Sequence, residues 1–227
     1  MLRVGLTGSL ASGKSTVAAM LAERGAYVLH ADELGREMMR PGQAVYAAIV
    51  EHFGARVVGA GGDLDRAELA RLAFADGRVE ELNAIVHPAV IARQAELSEA
   101  IARGDQAAVV VVESALIFET KHGGADGWRS RFDRVILVTA PESLKIARFV
   151  ERASENEAGL AGGQAALEAE ARRRLAQQID DASKAANSDY VLQNDGSLSD
   201  LEAQVNALWP KLIREAGERS RGTPPLQ

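Results

Sequence analysis

The stretch GSLASGKST, Gly8 to Thr16, follows the apolar run LRVGL and puts Gly8, Gly13, Lys14 and Ser15 in the four fixed places of G-x-x-x-x-G-K-[ST]. That spacing carries a mechanism. A strand ending at Leu6 and a helix starting near Lys14 leave small residues to turn the chain, so that backbone N–H groups converge on an anion. Lys14 then reaches the β- and γ-phosphates of a nucleoside triphosphate, and the Ser15 hydroxyl ligates Mg²⁺. The helix dipole adds about half a positive charge at its N-terminus. Ala11, Ser12 and Thr16 complete the set around the phosphates. The loop suits ATP or GTP; a glycine-rich turn that only caps a helix is the alternative.

Outward from the loop, short apolar runs recur: RVGLT, AYVLHAD, AAVVVVES, RVILVTA and DYVLQN. Continuously apolar and separated by helical stretches, they predict a five-stranded parallel sheet with helices on both faces, an α/β fold. Ligands gather at the carboxyl ends of such strands, which here carry Asp32, Glu113, Pro141 and Asn194. Glu33 to Gln106 is too long for a simple crossover and has helical periodicity in QAVYAAIVEHFG, RAELARLAFA and the run from Val79 to Gly104. The expected organisation is a nucleotide-binding core over 1–32, 107–145 and 185–215. A helical acceptor subdomain is inserted over 33–106, a lid covers 146–184, and a disordered tail covers 216–227.

Composition narrows the class. The 227 residues, 47% of them hydrophobic, suit one globular domain with an inserted subdomain. No apolar run of about 18 residues and no signal-peptide pattern occurs, so the expectation is a cytoplasmic protein with no membrane partner. With no cysteine, and with His30, His52, His87 and His122 far apart, zinc is not expected. A net charge of −6 without a basic block argues against nucleic acid.

Taken in order, GSLASGKST, HADELGR, RPGQAVYAAIVEHFG, GDLDRAELARLAF, LNAIVHP, ALIFE and KAANSDYVLQNDG resemble the dephospho-coenzyme A kinase family over most of the chain. The resemblance implies a P-loop kinase fold. It also implies ATP-dependent phosphorylation of the ribose 3′-hydroxyl of dephospho-CoA, the last step of coenzyme A biosynthesis. ATP and dephospho-CoA would be the partners of a monomer or weak homo-oligomer, with Mg²⁺ as cofactor. Another P-loop kinase acting on a nucleotide or small alcohol is the alternative. A GTP switch is a further one, since DELG fits D-x-x-G, but no N-K-x-D signature occurs. This chain departs from the family in having Ser9 and Ala11 where glycine is frequent, and Glu113-Ser114-Ala115 where an acidic residue, an apolar residue and proline are common. Its lid segment is longer than usual, and Arg148 stands seven residues after Pro141, one more than usual, a helix phase difference of about 100°.

Each candidate has a plainer reading beside it. Asp32 ends the second run, precedes a helix and is a natural N-cap; a strand adjacent to the loop strand would point this carboxylate toward the γ-phosphate, and the resemblance makes it the base that accepts the hydroxyl proton. Arg36 has Asp32 and Glu33 within pairing distance on a helix, and the resemblance gives it the acceptor. Arg66 is either a helix-start ion pair or a second acceptor contact. Glu113 is either a water-bridged Mg²⁺ carboxylate or a strand end facing solvent. His87 with Pro88 ends a helix pattern and reads as a buried structural histidine; the resemblance puts the pair beside the CoA-binding surface. Lid arginines Arg148, Arg152 and Arg174 have glutamates at helical spacing, as Arg172 has Glu168, and exposed pairs explain them; the functional reading folds them over ATP. QNDG is a turn by its own chemistry, and the resemblance sets the Asn194 backbone against adenine.

Overall fold

The computed structural model describes residues 1–121, 127–154 and 163–222. Strand β1 (Leu2–Thr7) leads through the loop into α1 (Lys14–Glu23), then β2 (Tyr27–His30) and α2 (Ala31–Met38). Helices α3 (Ala44–Phe53), α4 (Arg66–Ala70) and α5 (Val79–Gly104) follow, with a π-helical turn over Arg71–Ala75. The chain returns through β3 (Val109–Glu113), β4 (Arg134–Thr139), α6 (Glu142–Ser154), α7 (Gly163–Ala176), α8 (Asp181–Ala186), β5 (Tyr190–Gln193) and α9 (Leu198–Ser220).

All five strands are parallel and lie in the order β2-β3-β1-β4-β5. The buried valines of β3 pack on both faces, as their unbroken run predicts. One face packs against α1 and α9 through Leu6, Val17, Leu21, Val111, Val205 and Leu212. The other is closed by Ile117 and Phe132, which approach so near the strand that a Cβ at Gly5 would lie 2.8 Å from Ile117 Cδ1. The helices after β2 have a core of their own in Val45, Ile49, Phe53, Leu69 and Leu72.

Four expectations need correction. Strand β2 stops at His30, so Asp32 stands in the first turn of α2 and not at a strand end. Nor does β2 adjoin the loop strand, because β3 lies between them with Leu6 opposite Glu113 and His30 opposite Glu113. Helix α5 does not end at His87-Pro88; it runs through them, since tertiary packing of a 26-residue helix outweighs the one backbone bond that proline removes. Helix α9, started by the Ser197–Asp200 capping box, continues to Ser220 with Ala216 buried, so the tail is ordered well past 216. Residues 223–227 lie outside the described residues, as do 155–162 of the lid and His122. No described helix is long and apolar enough to cross a membrane.

Candidate active site

The loop from Gly8 to Gly13 is held from outside and left open inside. Gly13 has φ 98° and ends the loop at the start of α1, which has no side-chain cap and no acidic residue in its first turn. Its first N–H groups therefore face an anion site. Ala11 also takes a positive φ of 55°, a conformation that costs a non-glycine residue about 1–2 kcal/mol and that its surroundings enforce. Asn194 Nδ2 donates to the Ser12 carbonyl at 2.8 Å, Gln178 Oε1 accepts from the Leu10 N–H at 2.9 Å, and Ser9 Oγ donates to Asp181 at 3.0 Å. Asp181 also accepts from Thr139 and from the buried Lys145. Burial alone would raise the Asp181 carboxyl, but the bonds from Lys145, Thr139 and Ser9 hold it below the usual carboxylate range.

A Cβ at Gly13 would collide with Asn194 Nδ2. Gly13→Ala is therefore expected to lose the Asn194–Ser12 bond and to destabilise the fold by about 1–3 kcal/mol. Denaturant midpoints and ATP affinity of the variant check this; an unchanged midpoint with unchanged affinity would contradict the geometry.

Lys14, Glu113 and Asp32 converge beside the loop. Burial lowers the Lys14 ammonium below its usual range, Glu113 and Asp32 oppose that shift, and Arg152 and Lys184 add to it. A phosphate entering there meets a partly desolvated cation. Ser15 Oγ donates to Glu113 Oε1 at 2.7 Å, and the other Glu113 oxygen lies 2.5 Å from His30 Nδ1. Glu113 is thus tied into the site and is not a free strand end. Asp32 does not cap α2: His30 occupies that position, with no side-chain cap bond.

The lid arginines separate. Arg148 Nη2 donates to the Asn194 carbonyl at 3.1 Å and to its Oδ1 at 3.3 Å, so Arg148 joins the loop's anchor and not an exposed pair. Arg152 reaches Lys14 electrostatically. Arg174 instead pairs with Glu170 at 2.6 Å and stacks over Phe149, and Arg172 pairs with Glu168 at 3.3 Å, as the surface reading expects.

On the acceptor side, Asp32, Arg36 and His87 line a cavity of ≈ 310 Å³ between α2, α5 and β3. Arg36 also lines a groove of ≈ 670 Å³ with Arg40, Arg66 and the exposed Phe74. Neither Arg36 nor Arg66 forms an ion pair among the described residues, and Asp65, not Arg66, starts α4 by accepting from two N–H groups.

Sequence reasoning did not find His30, Lys145, Asp181 or Lys184 as members of the site. Lys184 is fully buried and pairs with Glu119 at 2.8 Å. Their partners lie 36 to 83 residues away for Lys145 and His30, a distance at which local pattern carries no signal.

Comparison with known proteins places the chain in a family. A family model for dephospho-CoA kinase matches residues 2–200. A dephospho-CoA kinase of Corynebacterium jeikeium is 39% identical over 92% of this chain and 98% of its own length. The Thermus thermophilus protein TT1252 superposes with a TM-score of 0.70 at 32% identity, covering 93% of this chain and 97% of that one. A shikimate kinase of Acinetobacter baumannii, at 16% identity and a TM-score of 0.51 over 95% and 94% of the two chains, shares the fold. With the phosphate loop, the carboxylate beside it and the match over most of its length all in agreement, the chain belongs to the dephospho-CoA kinase family.

Proposed function

We propose that Lys14, Asp32, Arg36 and the lid carry out phosphoryl transfer from ATP to the ribose 3′-hydroxyl of dephospho-CoA, giving coenzyme A. The activity is that of the family; the assignment of residues rests on one observation. Asp32 lines the acceptor cavity and at the same time acts on the Lys14 charge at the phosphate loop. A hydroxyl in that cavity and a γ-phosphate on Lys14 therefore meet at this carboxylate, which accepts the proton as the O–P bond forms.

Lys14 and the N–H groups of α1 neutralise charge on the transferring group, and Arg152 adds to them. Arg36 and Arg66 hold the acceptor's diphosphate, and His87 borders its cavity. Arg148 supports the adenine side through Asn194. Arg174 reaches the nucleotide only by leaving Glu170. The oxygen donors Ser15 and Glu113, 2.7 Å apart beside Lys14, suit a hard divalent cation and would hold Mg²⁺. When bound, the ion shields the negative charge of the triphosphate. The same reading makes the enzyme cytoplasmic, acting as a monomer or weak homo-oligomer.

A coupled assay of ADP release with dephospho-CoA, CoA, AMP and adenosine tests the assignment. Turnover should be highest with dephospho-CoA, and CoA, whose 3′-position is already esterified, should give none; equal turnover with all four would contradict it. The lid adds a second expectation. Helices α6 and α7 carry few buried side chains, Ala171 alone in α7, so amide hydrogens of 163–174 should exchange fast in the free protein. Exchange there should slow with an ATP analogue plus acceptor; an unchanged rate would make the segment a surface insertion.

A further inference from the structure

The acceptor cavity has a polar group at its wall that the phosphoryl transfer does not use. Gln94, two turns after His87 on α5, is 7% exposed, lines both this cavity and an adjoining one of ≈ 350 Å³, and its side-chain amide makes no hydrogen bond among the described residues. Its neighbour Ser98 is satisfied, donating to the Gln94 backbone carbonyl at 2.7 Å. Beside it Arg131 donates through Nη2 to the Ile117 carbonyl at 3.3 Å, while its Nε is buried without a partner. Buried polar groups are normally paired, and a primary amide that lines a cavity without a protein partner is open to hydrogen bonds from a ligand there.

The surroundings define that ligand. Val90, Val112, Ile117 and Phe132 make the walls apolar. Asp32 lines the same cavity of ≈ 310 Å³. The occupant is therefore a flat, uncharged ring with a hydrogen-bonding edge, joined to a hydroxyl that faces Asp32. A carboxamide matches adenine in this way, accepting from the exocyclic amino group and donating to an adjacent ring nitrogen. A diphosphate suits Arg36, which lines the same cavity, and not the neutral amide of Gln94 among Val90, Val112, Ile117 and the Phe132 ring.

We propose that Gln94 reads the adenine base of the acceptor nucleotide, Oε1 accepting from the 6-amino group and Nε2 donating to the ring, with Arg131 as a second donor beside it. Gln94 is thus a specificity-determining residue that seats the base so that the ribose 3′-hydroxyl faces Asp32. This rests on the reading that the acceptor is dephospho-CoA.

The test compares dephospho-CoA with its analogue carrying unsubstituted purine, which lacks only the 6-amino group. The wild-type enzyme should prefer adenine by about 10-fold or more in kcat/KM, because the analogue leaves Oε1 unpaired. Gln94→Leu should raise the acceptor KM about 10-fold, leave the ATP KM unchanged and shrink the base preference to within about threefold. A purely structural Gln94 would change stability or kcat and leave the preference intact, which would overturn the assignment. Should Gln94→Leu not fold, Gln94→Met and the wild-type comparison carry the same decision. A wild-type enzyme active on both compounds without preference also overturns it, while one that phosphorylates neither overturns the kinase reading itself.

Discussion

Lys14→Ala is expected to lower phosphoryl transfer by about 10³-fold or more while the protein stays folded. The size follows from where the charge sits. Lys14 is partly desolvated, close enough to feel Asp32 and Glu113, and placed where the helix start leaves N–H groups for phosphate. Alanine keeps the helix and removes the cation that neutralises the transferring group. Little stability is at risk, because Lys14 belongs to no hydrophobic cluster and its charge is disfavoured by burial until an anion arrives. Steady-state turnover and a thermal melt on the same sample decide. Turnover near that of the wild type in a folded variant would contradict the phosphate-site assignment.

Asp32→Asn should lower turnover by about 10²–10⁴-fold and leave ATP affinity nearly unchanged. Asparagine has the size of aspartate but does not accept a proton from the hydroxyl. The capping explanation is absent from the structure, since His30 occupies the cap. Loss of charge in the first turn of α2 would cost only about 0.3–1 kcal/mol of helix stability, far less than the barrier change at stake. A loss smaller than about threefold in turnover with dephospho-CoA would remove Asp32 from the chemistry.

What the sequence made legible was local chemistry. GSLASGKST needs only its own residues to specify a strand, a nest and a helix. The five apolar runs predicted five strands because the central strands β1, β3 and β4 are covered on both faces and are apolar nearly throughout. Strand order was not legible, since the runs of β2 and β3 do not say which lies beside β1. The same gap misplaced Asp32: four residues, Tyr27–His30, suffice for an edge strand, and HADEL then turns into a helix two residues earlier than the expected strand end at Asp32. Long-range polar pairs were invisible for a different reason. Gln94 recurs at four-residue spacing with the buried Val90 and Ser98, but its polarity suggests the solvent face. Lys145 and Lys184 are buried only because Asp181 and Glu119 meet them. Arg148 likewise has Glu151 at helical spacing, and its partner is Asn194, 46 residues on.

The central claim is that the phosphoryl group passes to the ribose 3′-hydroxyl at Asp32. Phosphorus and proton NMR of the product formed from ATP and dephospho-CoA tests it most directly. The expected product carries a new monophosphate ester coupled to the ribose H3′, identical to coenzyme A, and does not form with Asp32→Asn over the same time. A phosphate on the 2′-hydroxyl or elsewhere, or hydrolysis of ATP with dephospho-CoA recovered unchanged, would contradict it.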